Sequence, residues 1–228
     1  MASRKRILHA SPRVLTLFSG GMDSAVALFH CLERYGRDGV LAVSFRYPSK
    51  HNFYELKAAR GILARLGPRA PQHQCIDMAL CFKGFRSHLL EGGGEIPEEH
   101  YAAGNMKLTV VPGRNLIFLA VAAGLAESIG AEKICIAAHH GDSHVYPDCR
   151  KAFIGAAAEA VAQSTEGRVR LEAPFIGMSK KEIAALGKSL GVPFALTRSC
   201  YKNQENPCGK CGTCVERGEA LAAAGLVE

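Results

Sequence analysis

The sequence has no apolar run approaching the roughly 18 residues that a membrane-spanning helix needs. Its short basic opening, Met1–Ser11, lacks the apolar core of a secretion signal. Both absences point to a cytoplasmic chain. Aromatic residues are scarce, at 7%, and no Arg/Lys run reaches the length of a nucleic-acid-binding tail. The net charge of +7 therefore reads as a basic enzyme for nucleotides, pyrophosphate or acidic substrates, and a nucleic-acid partner is not expected. No internal repeat and no low-complexity linker divides the chain. Its 228 residues, 48% of them hydrophobic, suffice for one domain with a sizeable core.

Cysteine is plentiful, and its placement is uneven. Of nine, four crowd the C-terminal end at Cys200, Cys208, Cys211 and Cys214, while Cys31, Cys75, Cys81, Cys135 and Cys149 are scattered. Clustering of this kind fits a metal site in a reducing compartment better than a disulfide framework. Cys31 and Cys135 sit in apolar stretches and read as inert core residues. The C-terminal set supplies four soft thiolates, with Gly209 and Gly212 placed to allow tight knuckles. A structural, tetrahedral Zn²⁺ is the expected occupant, and an iron–sulfur cluster is the rival.

Apolar runs alternate with amphipathic stretches. Strands are predicted at Arg13–Phe18, Val40–Phe45, Gln72–Asp77 (weaker), Lys133–Ala138 and Val169–Ala173. Helices are predicted at Asp23–Tyr35, Tyr54–Leu66, Asn115–Ile129, Ala152–Gln163 and Ser179–Leu190. This βαβα order predicts an α/β fold, a doubly wound parallel sheet covered on both faces. Residues 1–198 read as that domain and 199–228 as a small zinc-binding appendage. Glu91–Leu108 is the one long irregular stretch. Its length and glycines suggest a lid that substrate orders.

Chemistry enters at Ser19-Gly20-Gly21-Met22-Asp23-Ser24, directly after Phe18 at the end of the first strand. Glycines let the backbone turn tightly and approach a ligand. The following helix N-terminus offers N–H groups and a positive dipole end to an anion, and Ser19 and Ser24 add hydroxyls. This is a phosphate cradle. It is neither a Walker loop nor a dinucleotide fingerprint, because the Lys after the glycines and the third Gly are missing. The S-G-G-x-D-S pattern resembles the PP-loop ATP pyrophosphatases. That resemblance implies cleavage of ATP between its α and β phosphates, transfer of AMP to an oxygen, and a nucleotide site at the carboxyl ends of the strands.

Three further stretches resemble the 7-cyano-7-deazaguanine synthase family within that group. They are Val111-Pro112-Gly113-Arg114-Asn115, then Tyr146-Pro147-Asp148-Cys149-Arg150, then the C-terminal cysteine set. Arg114 suits bidentate phosphate binding, or else opens a helix structurally. Tyr146, Pro147, Asp148 and Arg150 read either as substrate contacts or as a plain turn. Tyr47, His51 and Asp142 follow predicted strand ends and are candidate substrate contacts. Arg114, Asn115 and Lys180 join residues 18–24 as candidate ATP contacts; Lys181 competes with Lys180, and a solvated lysine is an equal reading. His139, His140 and His144 read as ordinary loop histidines in preference to a second metal site.

The resemblance implies an ATP-dependent ligase. The carboxylate of 7-carboxy-7-deazaguanine takes AMP from one ATP, ammonia displaces it to form the amide, and a second ATP activates the amide oxygen so that a nitrile results. It also implies Mg²⁺ with the ATP, Asp23 being the first residue to inspect beside it, and a homodimer. Two other readings stay open. One is a relative that stops at the amide or uses another amine. The other is a tRNA-modifying PP-loop enzyme, which requires a catalytic cysteine near the glycine loop and a separate RNA-binding domain; the sequence displays neither.

Overall fold

The computed structural model describes residues 12–98 and 104–226. Five strands, β1 (Val14–Leu17), β2 (Val40–Arg46), β3 (Gln72–Asp77), β4 (Lys133–Cys135) and β5 (Arg170–Glu172), form one sheet in the order β3-β2-β1-β4-β5. Every pairing is parallel. The expected doubly wound fold is what the chain adopts. β1 and β2 are buried almost throughout, as parallel strands covered on both faces must be. β3 lies at the sheet edge and is largely exposed, which explains its weak apolar signal.

Side chains alternate across the strands and so divide the core in two. Val14, Val40, Ala42 and Cys135 pack with α1 (Met22–Tyr35), α2 (Asn52–Leu66), α5 (Lys180–Ser189) and α6 (Gly212–Ala223). Leu15, Leu41, Val43 and Ile134 pack on the other face with α3 (Arg114–Ile129) and α4 (Lys151–Ser164). Ala220 and Leu221 of α6 belong to the first core, so the C-terminal segment is packed against the sheet domain through this helix.

Several element ends differ from expectation, each for a visible reason. β4 stops at Cys135, where its pairing with β1 and β5 ends; Ile136, Ala137 and Ala138 instead line a cleft. α2 starts at Asn52, two residues early, because the Asn52 amide ties back to β2. Its Oδ1 accepts from the Tyr47 N–H (3.2 Å) and its Nδ2 donates to the Phe45 carbonyl (3.1 Å). α5 carries a capping box, Ser179 with Glu182, which holds Ser179 outside the helix. The predicted lid segment, Glu91–Leu108, is anchored by buried Ile96 and Met106. Its residues 99–103 fall outside the described residues. No helix among the described residues is long and apolar enough to cross a membrane.

The chain winds from β1 outward to β3, then crosses back to place β4 on the other side of β1. The carboxyl ends of β1 and β4 therefore face each other across a topological switch point, where open α/β sheets hold their ligands.

Candidate active site

The loop leaving β1 turns at Gly20, whose φ is +89°. A Cβ there would sit 2.4 Å from the Glu55 carbonyl oxygen and 2.6 Å from the Ala59 nitrogen. Only glycine lets this loop lie so close to α2. The Ser19 Oγ accepts from the Gly21 N–H (3.1 Å), and the Ser24 Oγ donates to the Gly21 carbonyl (3.0 Å) while accepting from the Ser19 N–H (3.2 Å). The Ser19 hydroxyl proton is thereby left for Ser24, 3.1 Å away. These hydroxyls first knit the loop into shape, a role the sequence did not display. α1 begins at once, with no side-chain cap at Gly21, so its first turn enters the cleft with its dipole unopposed by a cap.

Two more elements bring charge to this turn. Lys180 opens α5, and its Nζ stands 3.4 Å from Asp23 Oδ2 and 2.7 Å from Glu216 Oε2 of α6. A lysine at a helix N-terminus opposes the dipole, and the two carboxylates offset that cost. Burial works against the Lys180 charge, yet Asp23 and Glu216 overcome it and raise its pKa. Burial likewise pushes the Asp23 carboxyl up, but Lys180 and His139 win and hold it well below the usual carboxylate range. Lys181 is exposed, so Lys180 is the lysine that faces the cleft.

His139 is not an ordinary loop histidine. It is fully buried, 3.3 Å from Asp142 Oδ2 and 3.7 Å from Asp23 Oδ2 through its Nε2. Its Nδ1 accepts the Gly141 N–H (3.1 Å), which assigns the proton of the neutral ring to Nε2, facing the carboxylates. The His140 and His144 rings meet edge to face.

Beyond the loop the cleft becomes aromatic. Phe45 stacks on Phe118 at 4.3 Å, and Tyr47 meets Phe118 edge-on. Arg114, at the start of α3, donates to the Tyr47 hydroxyl (3.3 Å) and lies 5.9 Å from the Tyr146 ring centre. Among the described residues it has no carboxylate partner. Burial opposes its charge, but the surrounding tyrosine oxygens keep its pKa well above the usual value. His51 is buried, 3.3 Å from Glu55 Oε2 and 5.0 Å from the Tyr201 ring.

Of the residues proposed from sequence, Phe18, Ser19, Gly21, Met22, Asp23, Ser24, Tyr47, His51, Arg114, Asn115, Asp142 and Lys180 line this one cleft. Gly20 is packed behind it against α2. Tyr146, Pro147, Asp148 and Arg150 do not line it. Asp148 Oδ2 accepts the Asn115 N–H (2.9 Å) and so holds the start of α3. The Tyr146 hydroxyl bonds to Thr109 and Tyr201. Pro147 and Arg150 are exposed, and the Arg150 Nε donates to the Ser143 carbonyl. Sequence reading missed Glu55, Arg198, Tyr201 and Thr213, which also line the cleft. Glu55 could have been found four residues after His51 on one helix face, and Tyr201 beside Cys200; Arg198 and Thr213 gave no signal.

Behind the cleft the sulfurs of Cys200, Cys208, Cys211 and Cys214 all lie within 4.8 Å of one another. The Cys208 N–H donates to Cys200 Sγ and the Cys211 N–H to Cys208 Sγ, each at 3.3 Å. Four thiolates around a tetrahedral metal would stand about 3.8 Å apart, and Cys208 and Cys214 are 4.0 Å apart. The cluster can hold a metal. Gly209 makes the knuckle turn at φ +70°, whereas Gly212 opens α6 with ordinary helical backbone.

A family profile described as "Queuosine biosynthesis protein QueC" matches residues 13–225. A 7-cyano-7-deazaguanine synthase of Porphyromonas gingivalis is 49% identical over 212 residues, covering 93% of each chain. One from Desulfotalea psychrophila is 47% identical over 207 residues, covering 91% of this chain and 92% of its own. Among solved structures, the NMN synthetase of Francisella tularensis superposes with a TM-score of 0.49 at 14% identity, over 96% of this chain and 79% of that one. With a family match across almost its whole length and relatives near half identity, this chain belongs to the QueC family of queuosine biosynthesis proteins.

Proposed function

We propose that this chain is an ATP-dependent carbon–nitrogen ligase that converts 7-carboxy-7-deazaguanine and ammonia to 7-cyano-7-deazaguanine. The observation that carries the reading is the continuity of one cleft. The uncapped phosphate loop of Ser19–Ser24 opens directly onto an aromatic chamber that holds Arg114, a guanidinium with no carboxylate partner among the described residues. A flat heterocycle suits Phe45, Tyr47 and Phe118. Its carboxylate suits Arg114, whose planar fork matches a carboxylate. The name of the relatives supplies the same substrate class.

The chemistry needs activation because a carboxylate is a poor electrophile. One carboxylate oxygen bonds to the α-phosphorus of ATP as the bond to pyrophosphate breaks. Ammonia then bonds to the carbonyl carbon, AMP leaves, and a proton is lost from nitrogen. The amide oxygen bonds to the α-phosphorus of a second ATP as the bond to its pyrophosphate breaks. The departure of AMP with both remaining nitrogen protons leaves the nitrile. The α1 N-terminus and Lys180 bear the polyphosphate charge, the chamber excludes water, and the two anions are held in line.

Asp23 Oδ1 is buried and has no hydrogen-bond partner among the described residues. An oxygen so placed fits Mg²⁺ accompanying ATP, and Asp23 would hold it there. Mg²⁺ when bound would share the phosphate charge. Zn²⁺ is the metal we assign to the four cysteines, because a four-thiolate shell is closed and structural. We assign the protein to the cytoplasm as a homodimer, with ATP, 7-carboxy-7-deazaguanine and ammonia as its small-molecule partners, and we divide it into the ligase domain 1–198 and the zinc segment 199–228. The sulfur-transfer alternative loses ground at Cys149, the one cysteine lining the cleft. Its thiol is raised by burial and by Asp142 and Asp148, which outweigh the opposing hydrogen bond that Asn115 Nδ2 donates to it, so it is held as a thiol and not as a nucleophilic thiolate.

The test is incubation with ATP, 7-carboxy-7-deazaguanine and ammonium, with AMP and products followed by mass. Two AMP per acid and a nitrile are expected. One AMP with an amide that persists would overturn the nitrile end point, and no acid-dependent AMP would overturn the ligase.

A further inference from the structure

Two adjacent residues of α6 tie the cysteine segment to the phosphate loop. Glu216 lies two residues after Cys214, and its Oε2 holds Lys180 Nζ at 2.7 Å, while Asp23 Oδ2 stands farther off at 3.4 Å. The other oxygen, Oε1, abuts the turn after β4: a Cβ on Gly141 would come within 3.2 Å of it. Next door, buried Arg217 donates to Thr197 Oγ1 (2.5 Å) and to the Phe194 carbonyl (2.7 Å). The following residue, Arg198, donates its N–H to the Gly20 carbonyl (2.9 Å). The Arg198 guanidinium clamps the carbonyls of Lys202, Gln204 and Glu205, which lie between the first two cysteines.

We propose that Glu216 is a positioning residue for adenylation: it draws Lys180 off Asp23 and sets its ammonium where the leaving pyrophosphate needs it. The proposal rests on the ligase reading for its reaction, and on geometry for its mechanism. Lys180 is buried within 4 Å of two carboxylates, one from α1 and one from α6. Without Glu216 the ammonium keeps Asp23, 3.4 Å away, as a carboxylate partner, closes on it, and neutralises the carboxylate that faces the phosphate chain. A buried charge pair of this kind is strongly distance-dependent, so a shift of the ammonium changes what the site offers a developing polyanion. Charge that develops in the transition state is felt in kcat more than in ground-state binding.

The test uses metal-loaded protein with metal content and melting temperature measured for each variant. Glu216→Ala should lower kcat for ATP–pyrophosphate exchange by about tenfold or more, with KM for ATP moving by less than about threefold. Glu216→Gln, which keeps an acceptor for Lys180, should recover part of that loss. In a double-mutant cycle, Glu216→Ala added to Lys180→Ala should cost nothing further. The same cycle is run on inorganic pyrophosphate binding by calorimetry, which reads the lysine whatever acid the enzyme activates. Full additivity with Lys180→Ala in either cycle overturns the proposal. So does a loss of metal or of melting temperature in Glu216→Ala that accounts for the fall. Wild-type protein lacking exchange but showing the non-additive pyrophosphate cycle would instead remove the ligase reading and leave the Glu216–Lys180 relation standing.

Discussion

Asp23, in the first turn of α1, and Lys180, in the first turn of α5, meet with 3.4 Å between Oδ2 and Nζ. Two helix N-termini thus converge on one point, and the acidic member holds its charge against burial because Lys180 and His139 outweigh it. The folded-state pKa of Asp23 is therefore below its unfolded value of about 3.9. A depressed carboxyl contributes stability that is present above that unfolded value and is lost as pH falls through the folded one. Urea unfolding of the wild type and of Asp23→Asn at pH 7 and pH 3 checks this. The wild type should lose more stability on acidification than the variant. Equal losses would show that Asp23 titrates alike in both states.

Ser19 fixes the loop shape through the Gly21 N–H and the Ser24 hydroxyl. Removing that hydroxyl leaves the fold intact, since no core side chain is touched, but frees the turn that must meet phosphate. Ser19→Ala should keep its circular dichroism spectrum and lose about tenfold or more in kcat/KM for ATP, the scale of one preorganised donor. Turnover near the wild-type level would remove Ser19 from the site.

How much of this was legible before the fold was known differs by residue. The phosphate loop was readable because strand, glycines and helix start are contiguous, and local order alone places Ser19 to Ser24. The cysteine set was readable because metal ligands need short, regular spacing. The succession of strands and helices followed from alternating apolar runs, except that β3 faded where it lies at the edge. His139 was misjudged because its environment comes from Asp23 and Asp142, and only the switch point between β1 and β4 brings Asp23 near it. Glu216 gave no signal at all: a glutamate on an amphipathic helix reads as solvated until α6 is packed on α5. The Tyr-Pro-Asp-Cys-Arg stretch was noticed as a motif, but of its residues Cys149 alone lines the cleft, while Asp148 braces the start of α3.

Cys211 is fully buried, and its neighbour Thr213 lines the cleft while bonding to its sulfur (3.3 Å). Metal binding in such a site is folding free energy. Purified protein should contain one zinc per chain by mass spectrometry. Cys211→Ser should lower stability by several kcal/mol, and a strong chelator should lower the melting temperature of the wild type in the same direction. Iron in the preparation would reverse the metal assignment, and a metal-free protein that melts unchanged would remove the metal altogether.

Asp148 offers the last test, because it separates bracing from binding. Its Oδ2 accepts the Asn115 N–H at 2.9 Å, its carbonyl accepts from Asn115 Nδ2 at 3.2 Å, and it does not line the cleft. A carboxylate here satisfies a free N–H at the start of α3 and meets the positive end of that helix. Asp148→Ala should therefore cost about 1 kcal/mol in stability, the usual scale of a lost helix cap. The α3 start also carries Arg114, one residue before Asn115, so a loosened first turn moves the guanidinium relative to Tyr47. Small misplacements of a positioning group are expensive in rate. kcat/KM for 7-carboxy-7-deazaguanine should fall by about tenfold, while Asp148→Asn, which keeps an acceptor oxygen, should retain most of both stability and rate. A direct substrate contact behaves differently: the alanine variant would then keep wild-type stability and lose substrate affinity alone. Chemical unfolding beside steady-state kinetics on the two variants distinguishes these outcomes.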